Sequence, residues 1–291
     1  MDEEGAATEE FEIMKGYESV RNEERALIEQ LIGATRLYDS CTAIQDLFDF
    51  AIRFRRFAPF NAMLLHIQKP GLTFAATAAD WKNKFGRWPK QYARPLLILR
   101  TMGPVDFVFD IQDTEGRAIP PGVFSFPTLG NLTERRLADF FQMLARIDID
   151  VCDFDAGDAK AGAIWMSWKS DSPNGKNSYM LSLNRNHSAP TRFVTVAHEL
   201  AHLFLGHLGA DEGRRVRNRS SISVALQEAE AEMTAYLVAK RNGLEPRSES
   251  YLAKYQGEFE DLNLYGIARA ANAVEAALGI SASDLSKEDY W

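Results

Sequence analysis

The chain has 291 residues, 46% of them apolar and 25% charged, with a formal net charge of −8. It can bury a substantial core and has room for two domains. No apolar run reaches the length of a membrane span, and two cysteines, Cys41 and Cys152, are too few for a disulfide framework, which excludes a membrane-spanning protein and a disulfide scaffold. The first ten residues are acidic and contain no apolar core of a secretory signal, so a cytoplasmic protein is expected. Each cysteine reads as a small buried or semi-buried side chain.

In chain order, residues 17–37 and 42–57 have helical periodicity. Charge then becomes uneven. Residues 51–100 hold ten basic side chains against one acidic, Asp80, a segment of +9 that leaves −17 for the remainder. Eight aromatics are interleaved: Phe54, Phe57, Phe60, Phe74, Trp81, Phe85, Trp88 and Tyr92. Positive charge tracking a phosphate backbone, with rings for base stacking, is what a single-stranded nucleic-acid groove requires. A solvated basic surface over ordinary core aromatics would give the same counts. The candidate contacts are Arg53, Arg55, Arg56, Lys82, Lys84, Arg87, Trp88 and Lys90. Residues 95–101 and 105–112 read as β-strands separated by a turn at Gly103-Pro104.

Four stretches of this half, Asn61-Ala62-Met63-Leu64-Leu65, Gln68-Lys69-Pro70, Trp81-Lys82-Asn83-Lys84-Phe85-Gly86-Arg87 and residues 107–116, together resemble the N-terminal domain of ArdC-type antirestriction proteins. The resemblance implies a single-stranded-DNA-binding domain placed before a metalloprotease-like domain. One departure is Trp88-Pro89-Lys90-Gln91-Tyr92, which stands where a glycine-lysine run often follows.

Ile119-Pro120-Pro121-Gly122, with Pro127, reads as a linker, dividing the chain into residues 1–120 and 121–291. Beyond it, residues 133–147 form an amphipathic helix through Leu137, Phe140, Phe141, Leu144 and Ile147. Residues 163–168 and 178–183 alternate as a hairpin around Ser172-Pro173-Asn174-Gly175, with Trp165 and Trp168 read as packing residues. If the 178–183 strand lies at a sheet edge, an extended peptide could add beside it. Ser188 and Pro190 open the next helix, and residues 251–278 supply further helices.

The helix that follows contains His198-Glu199-Leu200-Ala201-His202 inside an apolar stretch, residues 193–208. Residues four apart share a helix face, so both imidazoles can converge on one ion, with Glu199 beside it as general base. Near-uniform apolarity predicts a buried helix, in which three ionisable groups need a metal or hydrogen-bonded partners. His207 does not fit a three-histidine arrangement, because Leu205 and Leu208 occupy the required glycine and histidine positions. On a continued helix His207 falls half a turn out of phase; it is expected near the helix end, facing the dipole or solvent. The basic loop Arg214-Arg215-Val216-Arg217-Asn218-Arg219 either borders the cleft or is a mobile solvated loop.

A third ligand is expected from the helix over residues 220–242, capped by Ser220 or Ser221 and stopped by Gly243 and Pro246. Ala225, Ala229, Met233 and Tyr236 define its apolar face, with Glu232 inside it and Glu228 on its flank. Glu228 is therefore the candidate ligand and Glu232 the carboxylate that orients a ligand imidazole, while Glu230 reads as solvated, a small rotation of the helix being enough to make it the third ligand instead.

The two motif helices resemble those of the ImmA/IrrE-type metallopeptidases, a likeness running over residues 132–278. It implies an α+β chain: a gluzincin-like peptidase domain of helices and a small sheet, preceded by a smaller α+β domain. It also implies a Zn2+ cofactor and a protein substrate of the helix-turn-helix repressor kind, cleaved in stress or phage-defence circuits. With the single-stranded-DNA reading, the expected function is a zinc endopeptidase stimulated by DNA. The competing expectation is a DNA-binding antirestriction or protective protein whose zinc site is structural or vestigial.

Overall fold

The computed structural model describes residues 41–100, 105–118, 132–156, 161–171, 175–245 and 262–280. The helix expected over 17–37, the turn at Gly103-Pro104, the linker at 119–122 and the hairpin tip at 172–174 lie outside the described residues. The chain is α+β and divides into two compact units, one of residues 1–37 with 64–124 and one of residues 38–63 with 125–291.

In the first unit, β1 (Ala75–Thr77), β4 (Asp106–Asp110) and β3 (Leu96–Ile98) form an antiparallel sheet in that order, with β4 central. Between them in sequence stand α3 (Ala78–Phe85) and β2 (Arg87–Pro89), the latter pairing with β5 (Thr114–Gly116). Thr77 starts α3 by accepting the amide of Asp80, and Gly86 ends it in the left-handed conformation. Trp81 is fully buried against Phe74 and Ala76, and its indole N–H donates to the Phe109 carbonyl at 2.9 Å. That bond satisfies the one polar atom of the ring inside the core.

In the second unit, β6 (Ile149–Phe154), β8 (Ser178–Asn184) and β7 (Gly162–Trp168) form a sheet with β8 in the middle, parallel to β6 and antiparallel to β7. The 178–183 strand is therefore central, and the expectation of a sheet edge there passes to β7. Tyr179, Leu181 and Leu183 of β8 are buried in alternation, as period-two patterning requires. On this sheet lie α4 (Glu134–Ala145), which packs on β6, and α5 (Ala189–Leu205), which packs on β7 and β8. Phe140 of α4 and Phe193 of α5 are both buried, with ring centroids 5.6 Å apart, each burial contributing on the order of 1.5–3 kcal/mol. Against α5 rest α6 (Val224–Arg241) and α7 (Leu264–Ala277), where Ala201, Ala231 and Ala270 let the three helices approach closely around Leu205. Ser223 rather than Ser220 or Ser221 caps α6, accepting the Leu226 amide at 3.2 Å.

The second unit also contains α1 (Cys41–Arg53), which packs on α6; α2 (Pro59–Gln68) spans the boundary between the units. The buried Arg241 guanidinium donates to the carbonyls of Ala51 and Phe57 and to Glu275, and Arg55 donates to Asn242 at 2.9 Å. By contacts, residues 38–63 group with the C-terminal unit, and carbonyls of this segment satisfy a charged side chain of α6. Cys152 is exposed on β6, and Trp165 and Trp168 are exposed on β7, so none of the three has the buried role expected of it.

Candidate metal centre

α5 carries His198, Glu199 and His202. Its buried face, formed by Phe193, Val196, Ala197, Leu200 and Ala201, anchors it in the core and fixes where the polar side chains emerge. The two imidazoles lie one turn apart with Nε2 atoms 3.2 Å from each other. From α6, Glu228 presents one oxygen 3.4 Å from His198 Nε2 and the other 3.5 Å from His202 Nε2. Among the described residues these three form the cluster capable of holding a metal, with donor atoms all within 4.8 Å. Donors held tetrahedrally at the usual zinc bond lengths stand about 3.3 Å apart, so the separations fit a zinc ion.

Burial and neighbouring charge act on these groups in opposite directions. The hydrogen bond to His198 is the main reason the Glu228 carboxyl is held below the usual range, against its partial burial. Burial acts to lower His198, yet its bond to Glu228 and the charges of Glu199, Glu228 and Glu232 raise it overall. His202 is pushed down to about 4, first by burial and then by His198. Glu199 is raised chiefly by burial, and its carboxylate accepts the backbone N–H of Ile164 on β7.

Behind the donors lies a layer that sequence reasoning placed elsewhere. His207 Nδ1 is 3.0 Å from His202 Nδ1, and His207 Nε2 is 3.2 Å from Glu230. Glu230 is 0% exposed and takes two bonds from the Arg219 guanidinium, at 2.7 and 2.8 Å, and one from the Asn263 amide. The reading of Glu230 as solvated is corrected: paired charge makes its burial tolerable. His207 does not continue the helix. Gly206 adopts the left-handed conformation at φ 82° and turns the chain, so that the ring comes back beneath His202. A Cβ on Gly206 would come within 1.9 Å of the Arg217 carbonyl, so the turn demands glycine. The Gly206-His207 pair, which begins four residues after the second histidine, was the available signal. Glu232 is half-buried and acts on His198 through its charge.

Two of the four loop arginines are structural. Arg214 pairs with Asp211 at 2.6 Å and lies over the Tyr179 ring, and Arg219 holds Glu230, whereas Arg215 and Arg217 are exposed.

The expected nucleic-acid contacts are dispersed over both units. Arg53, Arg55 and Arg56 belong to the second unit, and the others to the first. Arg55 is 6% exposed and bonded to Asn242, which removes it from any such surface; Arg56 is half-buried and Arg53 exposed. Arg87 is committed within its unit, to Thr114 Oγ1 at 3.0 Å and to the carbonyls of Thr114 and Arg117. Lys84 pairs with Asp80, Lys90 donates to the Gln112 carbonyl, and Lys82 is exposed. Among the aromatics, Phe54, Phe60, Phe74 and Trp81 are core, while Trp88 is 57% and Tyr92 89% exposed. Phe107 on β4 is also exposed and was not among the expected contacts.

Residues 146–255 match the family model of the IrrE N-terminal-like domain, the M78 peptidases, and both ligand-bearing helices fall inside that match. The chain is also similar to the metal-free crystal structure of the antirestriction ArdC protein from R388 plasmid. Identity is 18%, 77% of this chain and 85% of that chain are covered, and the TM-score is 0.36. No curated protein matches the chain. No helix among the described residues is long and apolar enough to cross a membrane.

Proposed function

We propose that the protein is a zinc-dependent endopeptidase in which His198, His202 and Glu228 hold the metal and Glu199 is the general base. The observation that carries this reading is the convergence of those three donors from two helices, within 4.8 Å, inside the stretch that matches a peptidase family. A zinc ion held there supplies Lewis acidity toward a carbonyl oxygen and lowers the pKa of a bound water. Glu199 then accepts the proton of the attacking water and returns it to the leaving amine. Three protein donors are the number used by catalytic zinc sites, which supports an enzyme over a structural site.

The substrate approaches along β7, an edge of its sheet next to α5. A peptide adding there as a further strand would run beside Ile164, whose N–H already fixes Glu199, and so bring its scissile carbonyl to the base. The first unit serves as a single-stranded-DNA sensor that raises cleavage of a helix-turn-helix repressor, in the cytoplasm, as part of a stress or phage-defence response. Exposed Trp88, Tyr92 and Lys82 support DNA binding by that unit.

The test is incubation of the purified chain with candidate helix-turn-helix repressors, with and without zinc and single-stranded DNA. Zinc-dependent cleavage that Glu199→Gln reduces by about 10²–10⁴-fold, while bound zinc is retained, is the expected result. Full activity of Glu199→Gln removes the base assignment, and a rate indifferent to DNA removes the sensor.

A further inference from the structure

The groups behind His202 form an ordered series whose protons can be assigned from one end. Glu230 is buried and receives two N–H bonds from Arg219 and one from the Asn263 amide, so it is an ionised acceptor. The nitrogen facing it, His207 Nε2 at 3.2 Å, must therefore donate. A neutral imidazole with its proton on Nε2 has a bare Nδ1, which accepts. The atom 3.0 Å from that Nδ1 is His202 Nδ1, which must then carry a proton. His202 Nε2 is left bare, and this is the atom that faces His198 and Glu228.

We propose that Arg219, Glu230 and His207 are positioning residues that lock His202 in its Nδ1–H tautomer and aim its Nε2 lone pair at the metal position. The proposal rests on the metal-site reading above. A histidine ligand ordinarily gives its second N–H to a carboxylate, carbonyl or water. Here a second imidazole is interposed, and the carboxylate acts from one residue further away. The geometry also assigns work to the basic loop. Arg219 fixes the charge of Glu230 from the same loop whose Arg217 carbonyl lies against Gly206, the residue that turns His207 beneath His202. Loop and ligand are therefore mechanically one unit.

Two measurements on the full chain test this. The first is nitrogen-resolved imidazole spectroscopy of the zinc-free, histidine-labelled protein, which has five histidines to distinguish. The expected spectrum shows His202 protonated at Nδ1 and bare at Nε2. A proton on His202 Nε2, as a doubly protonated His207 would impose, overturns the proposal. The second is zinc affinity by competition with a chromophoric chelator. His207→Leu, which offers no acceptor, should bind zinc about 10–100-fold more weakly, and His207→Asn, whose Oδ1 can accept the His202 proton, should recover most of the loss. Unchanged affinity in a folded His207→Leu protein overturns the proposal. If that variant fails to fold, the wild-type ring spectrum decides alone. If the wild-type chain binds no zinc, the metal-site reading fails, and the ring spectrum still judges the tautomer.

Discussion

Glu228 on α6 reaches across to α5 and stands 3.4 Å from His198 Nε2, while its other oxygen stands 3.5 Å from His202 Nε2. One carboxylate thus spans two imidazoles from a neighbouring helix. Zinc should bind at one equivalent and stabilise the folded chain by about 2.7 kcal/mol at a free concentration one hundred times its Kd. Glu228→Ala should abolish most of that gain. Elemental analysis and thermal melting with graded zinc measure both, and retention of one tight zinc by Glu228→Ala would remove Glu228 from the ligand set.

Arg241 and Glu275 are a buried ion pair at 2.8 Å, and the same guanidinium satisfies carbonyls of the 51–57 segment. Removing one partner leaves a charge without compensation. Arg241→Met should cost about 3–5 kcal/mol in urea unfolding. A loss below about 1 kcal/mol would mean that the segment is held by its apolar contacts instead.

Lys69 lies 2.5 Å from Asp110 and 3.1 Å from Asp113, and the bond to Asp110 is the main cause of its raised pKa. The unfolded chain gives up this proton at the ordinary value of 10.5, before the folded chain does. The stabilisation is therefore complete below that value and is lost as pH climbs through the raised folded value. Lys69→Met should be less stable than wild type at neutral pH, and the gap should narrow in alkaline solution. Urea midpoints over a pH series measure it; a gap constant through pH 10.5 and above would contradict the assignment.

Trp88 and Tyr92 are the exposed rings of the basic segment, and each should contribute about 1–3 kcal/mol of stacking with single-stranded DNA. Alanine at either position should weaken binding in a fluorescence-anisotropy titration. Charge reversal at Lys82 and Lys90 should flatten its salt dependence. Arg55 should contribute nothing directly, being held by Asn242. Unchanged affinity in the Trp88→Ala/Tyr92→Ala double variant would show that the rings are not the binding platform.

The parts of this molecule that sequence made legible are those governed by local geometry. Four-residue spacing on a helix is invariant, so His198, Glu199 and His202 could be placed together without knowing the fold. Glu228 followed from an apolar face on its helix. Glu230 did not, because from Ala229 onward α6 is buried on nearly every side, so a residue off the apolar face can still lie inside. What keeps Glu230 inside is an arginine eleven residues earlier and a histidine from another element, neither implied by periodicity. His207 stands near the helix end, as expected, but its partners were missed, because the left-handed Gly206 turns the ring toward His202 and Glu230 instead of solvent. The place of β8 within its sheet depends on strand order, which alternation cannot express. Counting charges over residues 51–100 could not separate Arg55 and Arg87, consumed by internal bonds, from Lys82 at the surface.

The grouping of residues 38–63 with the C-terminal unit means that the polypeptide enters that unit, leaves it after residue 63 and returns at residue 125. The two units therefore alternate along the chain, with residues 64–124 of the first interrupting the second. A fragment cut at residue 121, where composition invites the scissors, would carry every candidate zinc ligand and still lack α1. Arg241 and Asn242 would then face solvent where Ala51, Arg55 and Phe57 belong. A fragment meant to carry the metal site should retain residues 38–63 together with those from 125 onward. Failure of the simpler truncation to fold would therefore report missing architecture and say nothing about catalysis.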